Sequence, residues 1–201
     1  KETEVAFFVS TFFNPGFTQE EIYWMTKGMA ESGDILDIKF IKNNKDLVVD
    51  KHSIGGTAGK GITPILVPIL AASGLVVPNT STKAITSPAG TTDIIESVMP
   101  VALNKEEVYK VVEKTGACMV WGGSLSLAPA DDEIINVERS LRIQEFQKVL
   151  VSIVAKKIAM GSSFVLIDLP YGKGTKIEKP DDLEFLKREF EKLFDKFNIK
   201  C

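Results

Sequence analysis

Between Asp50 and Thr63 the chain reads DKHSIGGTAGKGIT, a stretch whose residue types suit an anion. Lys51 brings a mobile positive charge, and Ser53 and Thr63 bring hydroxyl donors. Gly55, Gly56, Gly59 and Gly61 let backbone approach a ligand with no Cβ in the way. An apolar, β-branched run, Leu47-Val48-Val49, precedes the stretch, and the apolar segment PILVPILAASG follows it. That is a strand stopping at Asp50, a glycine-rich turn and a helix. The free N–H groups of such a helix start favour a negative charge. Phosphate is one reading and a plain turn is the other. Neither the Walker A pattern nor G-x-G-x-x-G is present. His52 is the only histidine, so any imidazole role falls to it. Beside a strand end, a histidine is more often structural than catalytic.

A second stretch of the same character runs from Asn79 to Gly90, NTSTKAITSPAG, with Lys83 as its one charge. It follows a short strand, Leu75-Val76-Val77, stopped by Pro78, and it precedes a helix from Gly90 through Met99. Loops after consecutive parallel strands emerge at one sheet edge, where ligands bind. A third polar loop begins at Gly122 after the buried strand candidate Ala117–Trp121. Asp131, Asp132 and Glu133 in that region read as a helix cap rather than a metal cluster.

Several elements must position these loops. Glu2–Phe13 and Thr18–Ser32 have helical spacing, and T-Q-E-E at Thr18 is a capping box. The aromatic face of the second helix reads as packing. Asp37–Lys45 is a polar connector. The helix Thr63–Ser73 is apolar all round and should be buried. Asn104 caps a helix Lys105–Lys114, and Val149–Ala159 is a helix carrying Ser152, Lys156 and Lys157. Phe164–Leu169 reads as a buried strand, and Pro180 opens a charged amphipathic helix to about Phe197. Strands alternating with helices, behind two leading helices, indicate an α/β fold. It joins a small helical subdomain, residues 1–36, to a mixed α/β domain, 37–201, with a central, largely parallel sheet.

Composition narrows the class. The chain has 201 residues, 44% hydrophobic and 25% charged, with net charge −3 and no basic block. These values fit a globular protein and argue against nucleic-acid binding. Two cysteines, Cys118 and Cys201, make a disulfide framework improbable and point to a reducing cytoplasm. No stretch is long and apolar enough to cross a membrane, and KETEVAFFVS does not read as a signal peptide. Both ends look cut, as in a piece of a longer protein.

Five ordered blocks carry a resemblance: DKHSIGG, STKAITSPAGTTDIIE, SLAPAD, VERSL and SIVAKKIAMGSS. Together they resemble the thymidine and pyrimidine nucleoside phosphorylase family from about Glu4 to Cys201. Within it, the block Ala84–Thr91, AITSPAGT, is most similar to the AMP phosphorylase branch. The resemblance implies phosphorolysis of a nucleoside 5′-monophosphate, with AMP and phosphate giving adenine and ribose 1,5-bisphosphate. It implies an active-site cleft between the helical subdomain and the mixed α/β domain, with part of the chain returning to the helical part, a homodimer, inorganic phosphate as co-substrate and no cofactor. Lys51, Ser53, Ser81 and Thr91 resemble the ligands of the attacking phosphate, with Gly56 in the glycine-rich turn. Thr82, Lys83, Ala84, Ile85, Thr86 and Ser87 resemble the segment around the nucleotide. Arg139, Ser152 and Lys156 match base-holding positions of the pyrimidine enzymes, and Ser152 and Lys176 match substrate contacts of the AMP branch. His52 matches a histidine beside the glycosidic bond.

Two departures stand out. Lys83 replaces an arginine, losing the bidentate fork. Gln144 occupies the place of an aspartate proton donor, with Glu145 adjacent but expected to point elsewhere on a helix. The chain also lacks the family's C-terminal part and its N-terminal extension. The alternatives are therefore a pyrimidine or thymidine nucleoside phosphorylase, a related phosphoribosyltransferase, a non-catalytic nucleotide-binding homologue, or an incomplete subunit completed by another chain.

Overall fold

A computed structural model of the chain describes residues 2–38, 48–55, 57, 61–85 and 89–201. Two helices lead, α1 (Glu2–Thr11) and α2 (Gln19–Ala30). The Thr18 capping box forms as expected: Glu21 N donates to Thr18 Oγ1, and Thr18 N donates back to Glu21 Oε2. Of the connector, Leu36 and Ile38 are buried, and 39–47 lie outside the described residues. Then follow β1 (Val49–Ser53), α3 (Thr63–Ala72), β2 (Val77–Ser81), α4 (Thr91–Glu96), α5 (Lys105–Thr115) and β3 (Ala117–Trp121). A 3-10 turn, Gly122–Leu125, leads into α6 (Pro129–Leu141), α7 (Phe146–Ala159), β4 (Phe164–Asp168) and α8 (Pro180–Lys196).

Among the described residues all strand pairing is parallel. β1 pairs with β4, from Val49 opposite Phe164 to Ser53 opposite Asp168. β2 pairs with β3, from Val77 opposite Ala117 to Ser81 opposite Trp121. A single bridge, Val48 to Val76, joins the two halves, giving the order β4-β1-β2-β3.

The β1–β2 seam is the unusual feature. On β2, Val77 N donates to Gly116 O on the β3 side, so Pro78 and Thr80 turn their backbone toward β1. Pro78 has no N–H to give, and the ladder stops there. Side chains take over: Asn79 Nδ2 donates to Asp50 Oδ1 at 2.7 Å and to Lys51 O at 2.8 Å. Lys157 Nζ donates to Thr80 O at 2.9 Å and pairs with Asp50 Oδ2 at 2.6 Å.

Several expectations from sequence are corrected here. β1 does not stop at Asp50; it carries Lys51, His52 and Ser53 to its end. β2 runs through Pro78, because the missing donor faces the splayed seam. The helix α4 ends at Glu96 rather than Met99. In β4, Phe164 and Leu166 face outward, so the strand is buried on one face only. The apolar helix α3 buries only Thr63 and Val67, and Ile65 and Ile69 stand 63% and 56% exposed.

Two cores form on opposite sides of the seam. One gathers α1, α2, α6, α7, α8 and β4 around Phe12, Met29, Leu150, Val154, Phe190 and Phe194. The other joins Val76, just before β2, to β3 and α5 through Val108, Val112 and Val120. Helix α7 serves both, with Val151 and Val154 in the first and Ala159 in the second. Its whole run from Lys148 to Lys157 is buried, so it positions groups around the seam with little freedom.

Candidate active site at the carboxyl edge of the sheet

The ends of β1 and β2 open into one cavity, walled also by the starts of α3 and α4 and by α7. Lys51, His52, Ser53, Ser81, Thr82, Lys83, Ala84, Ile85, Thr91, Ser152 and Lys176, all singled out from sequence, line it. Arg139 and Lys156 do not: Arg139 is exposed, its Nε donating to Ala84 O at 3.2 Å, and Lys156 is buried behind the wall. Gly56, Thr86 and Ser87 lie outside the described residues.

On the β1 side, Lys51 Nζ pairs with Asp168 Oδ2 at 3.0 Å and donates to Thr63 Oγ1 at 3.2 Å. The strand thus delivers a buried ammonium to the start of α3. Ser53 Oγ accepts from Gly55 N at 3.2 Å, which closes the turn. On the β2 side, the hydroxyls of Ser81 and Thr92 share a hydrogen bond of 2.8 Å. Asp93 folds the following loop back, its Oδ2 accepting from Gly90 N at 2.7 Å and Ala84 N at 2.8 Å. Gly90 is required by close approach, since a Cβ there would sit 2.8 Å from Thr82 O and 2.9 Å from Ala84 N. Lys83 leans outward, pairing with Glu96 at 2.9 Å over the ring of Trp121.

Behind the cavity, α7 presents Lys148, Ser152 and Lys156 on one face, each one turn from the next. All three converge on the buried Asp131: Lys148 Nζ at 2.6 Å, Ser152 Oγ at 2.6 Å and Lys156 Nζ at 2.8 Å. Glu138 adds a second carboxylate to Lys148 at 3.0 Å, and Asp132 one to Lys156 at 3.1 Å. Burial raises the Asp131 pKa, but Lys148 and Lys156 outweigh it and hold the carboxyl far below the usual range. This corrects the capping role expected of Asp131. Pro129 opens α6, Ala128 precedes it, and the Asp131 carboxylate serves as the hub of a lysine cluster. Among the described residues no group of three or more His, Cys, Asp or Glu could hold a metal.

His52 Nδ1 is buried and has no hydrogen-bond partner among the described residues. Burial, reinforced by Lys157, Lys51 and Lys156, pushes its pKa well below 6.5, so the imidazole is neutral near pH 7. Gln144 lies in the short link between α6 and α7, lines the cavity, and accepts from Lys176 Nζ. Glu145 is not inside a helix as expected. It is the N-cap of α7, its carboxylate accepting from Gln147 N and Lys148 N, and this turns it from the cavity.

Sequence reasoning missed Asp50, Asn79, Thr80, Lys148, Lys157 as site-builders, and Asp131 as their counterpart. The four-residue spacing of Lys148, Ser152 and Lys156 is a helical-face signal that points to one shared partner. Nothing local marks Asp50, whose partners lie 29 and 107 residues away.

A cleft at the carboxyl edge of parallel strands, rich in hydroxyl and ammonium donors, agrees with comparison to known proteins. The model of the glycosyl transferase family a/b domain matches residues 45–185, and the chain belongs to that family. Over 193 residues it is 48% identical to the AMP phosphorylase of Pyrococcus furiosus, covering 96% of this chain and 37% of that protein. It is 47% identical to the AMP phosphorylase of Thermococcus sibiricus, with the same coverage. Identity to the AMP phosphorylase of Methanococcus vannielii is 47% over 197 residues, 98% of this chain and 38% of that one. The chain therefore spans a little over a third of the length of these relatives. Its fold is similar to anthranilate phosphoribosyltransferase from Thermus thermophilus, with TM-score 0.65, 20% identity, and coverage of 89% of this chain and 50% of that one.

Proposed function

We propose that the chain carries the phosphate- and nucleotide-binding part of a pentosyltransferase that phosphorolyses a nucleoside 5′-monophosphate. AMP and inorganic phosphate give adenine and ribose 1,5-bisphosphate, without a cofactor. The observation that supports this most is the pairing of two donor sets in one cavity. Lys51, Ser53, Ser81 and Thr91 take the attacking phosphate, and the strap from Thr82 to Ile85 takes the 5′-phosphate. Held this way, phosphate attacks C1′ from the face opposite the base, and the cation-rich floor stabilises it in place. His52, neutral and beside Lys51, serves as a hydrogen-bond donor or acceptor to the sugar or base rather than as the acid. Ser152 and Lys176 contact the nucleotide, while Arg139 and Lys156 support it through Ala84 and Asp131.

The working protein is a cytoplasmic homodimer joined through the leading helices, where Phe7, Phe13 and Trp24 are exposed. Among the described residues no helix is long and apolar enough to cross a membrane.

A second reading has its own observation. No carboxylic acid is among the described cavity-lining residues, which suits a pyrimidine base that needs only hydrogen bonds to leave. Calorimetry with AMP, CMP, adenosine and uridine, and a product assay with each plus phosphate, separates the two. AMP should bind more tightly than adenosine and release adenine only when phosphate is present. Equal binding of nucleoside and nucleotide, with uridine turned over, would replace the first reading by the second.

A further inference from the structure

Breaking a purine N-glycosidic bond leaves electrons on the ring, and a proton delivered to the ring lowers that barrier. The described residues lining the cavity offer five ionisable side chains: Lys51, His52, Lys83, Lys148 and Lys176. Three of the lysines face carboxylates, Lys51 with Asp168, Lys83 with Glu96, and Lys148 with Asp131 and Glu138. His52 is held neutral, so it has no imidazolium proton to give near pH 7. Lys176 differs from all of them. Its Nζ donates to Ile54 O at 2.8 Å and to Gln144 Oε1, both neutral acceptors.

Resting on the phosphorolysis reading, we propose that Lys176 is the general acid of this site, with Gln144 as the amide that aims its ammonium at the leaving base. As the C1′–N9 bond breaks and the C1′–O bond to phosphate forms, one Nζ proton passes to N7 of the adenine ring. Adenine then departs neutral, Lys176 is left as an amine, and it takes a proton back from water. Gln144 cannot donate an acid proton, but its carbonyl and that of Ile54 fix the directions of two Lys176 N–H groups and leave the third for the base.

The setting supports such a role. Burial lowers the Lys176 pKa to about 8, with Glu138 on α6 partly opposing it. Of the charged and titratable groups around the cavity, Lys51 and His52 on β1, Lys83 after β2, Lys148 on α7 and Glu138 on α6, only Glu138 is a cause of its shift. The ammonium is therefore largely formed at pH 7 yet gives up its proton readily, which suits an acid working near neutrality.

The test compares two substrates, AMP and a nitrophenyl riboside 5-phosphate whose leaving group needs no proton. Lys176→Met and Lys176→Arg are assayed with phosphate, since arginine keeps the charge but does not release its proton. Both should lower kcat for AMP by about 10²–10⁴-fold and leave a far smaller loss with the activated substrate. Wild-type kcat for AMP should fall as pH rises through about 8. Gln144→Asp should move that fall to higher pH, because a carboxylate stabilises the ammonium. Equal losses on both substrates, full AMP turnover by Lys176→Arg, or a flat profile above pH 8 would each overturn the assignment. If the wild type turns over neither substrate, the phosphorolysis reading itself fails, and the acid falls with it.

Discussion

At the scale of single residues, the site is organised by charges that have been taken out of water in pairs. Removing one member of a buried pair strands the other, at a cost of about 3–5 kcal/mol, so these residues hold one another in place. His52 has no ion pair among the described residues, and after burial the lysines Lys157, Lys51 and Lys156 act on it most. Its folded pKa lies below the unfolded value of about 6.5. Below that value the unfolded chain takes up a proton that the folded chain refuses. The stability present above pH 6.5 is thus lost as pH falls, by at most about 1.4 kcal/mol per pH unit. Glu138 and Glu145, whose pKa values burial raises, work in the opposite direction at lower pH. Denaturant unfolding of the wild type and His52→Gln at pH 7 and about 5.5 isolates the histidine's share. The variant should show the shallower loss. Identical slopes would mean that the ring finds a partner the buried Nδ1 does not have here.

At the scale of elements, the strap between β2 and α4 is set by one glycine. Gly90→Ala forces a Cβ into the backbone of Thr82 and Ala84, which have no rotamer to yield. Such overpacking costs about 1–3 kcal/mol, and the strap that lines the cavity must shift. AMP affinity by calorimetry should fall along with thermal stability, whereas Gly28→Ala, on an open face of α2, should leave affinity unchanged and raise thermal stability by about 0.4–1 kcal/mol. The two positions also show what was legible in the sequence. Element types followed from periodicity and capping, as at Thr18 and Asn104, because those signals are local. The cluster Lys51, Ser53, Ser81 and Thr91 was legible because loops after parallel strands share an edge. Strand ends were not. Lys51, His52 and Ser53 look like turn residues, and they are held in a strand by β4, more than 100 residues further on. Pro78 looks like a terminator and is tolerated because its missing donor faces a seam that side chains close. Both outcomes depend on partners that no window around the residue contains.

At the scale of the whole molecule, one apolar helix face is left outside both cores. Ile65 and Ile69 on α3, with Val98 after α4, stay largely exposed. Ile65→Lys with Ile69→Lys should therefore leave thermal stability of this chain within about 1 kcal/mol. A large loss in a melting experiment would show that this face packs against something. Helix α7 has the opposite character. Lys156 and Lys157 are neighbours in sequence, yet one reaches Asp131 and the other Asp50, on two different ion clusters. Adding or deleting one residue in α7 turns everything beyond it by about 100°. Because the two lysines are adjacent, that turn would put one in the other's place, leave an aliphatic side chain, Ala155 or Ile158, facing the other carboxylate, and drive one ammonium group into the core. The helix is in effect a key cut for two locks, and its length in residues is as constrained as its composition. Evolutionary or engineered change in this region should therefore come as substitutions, with insertions confined to the loops at either end.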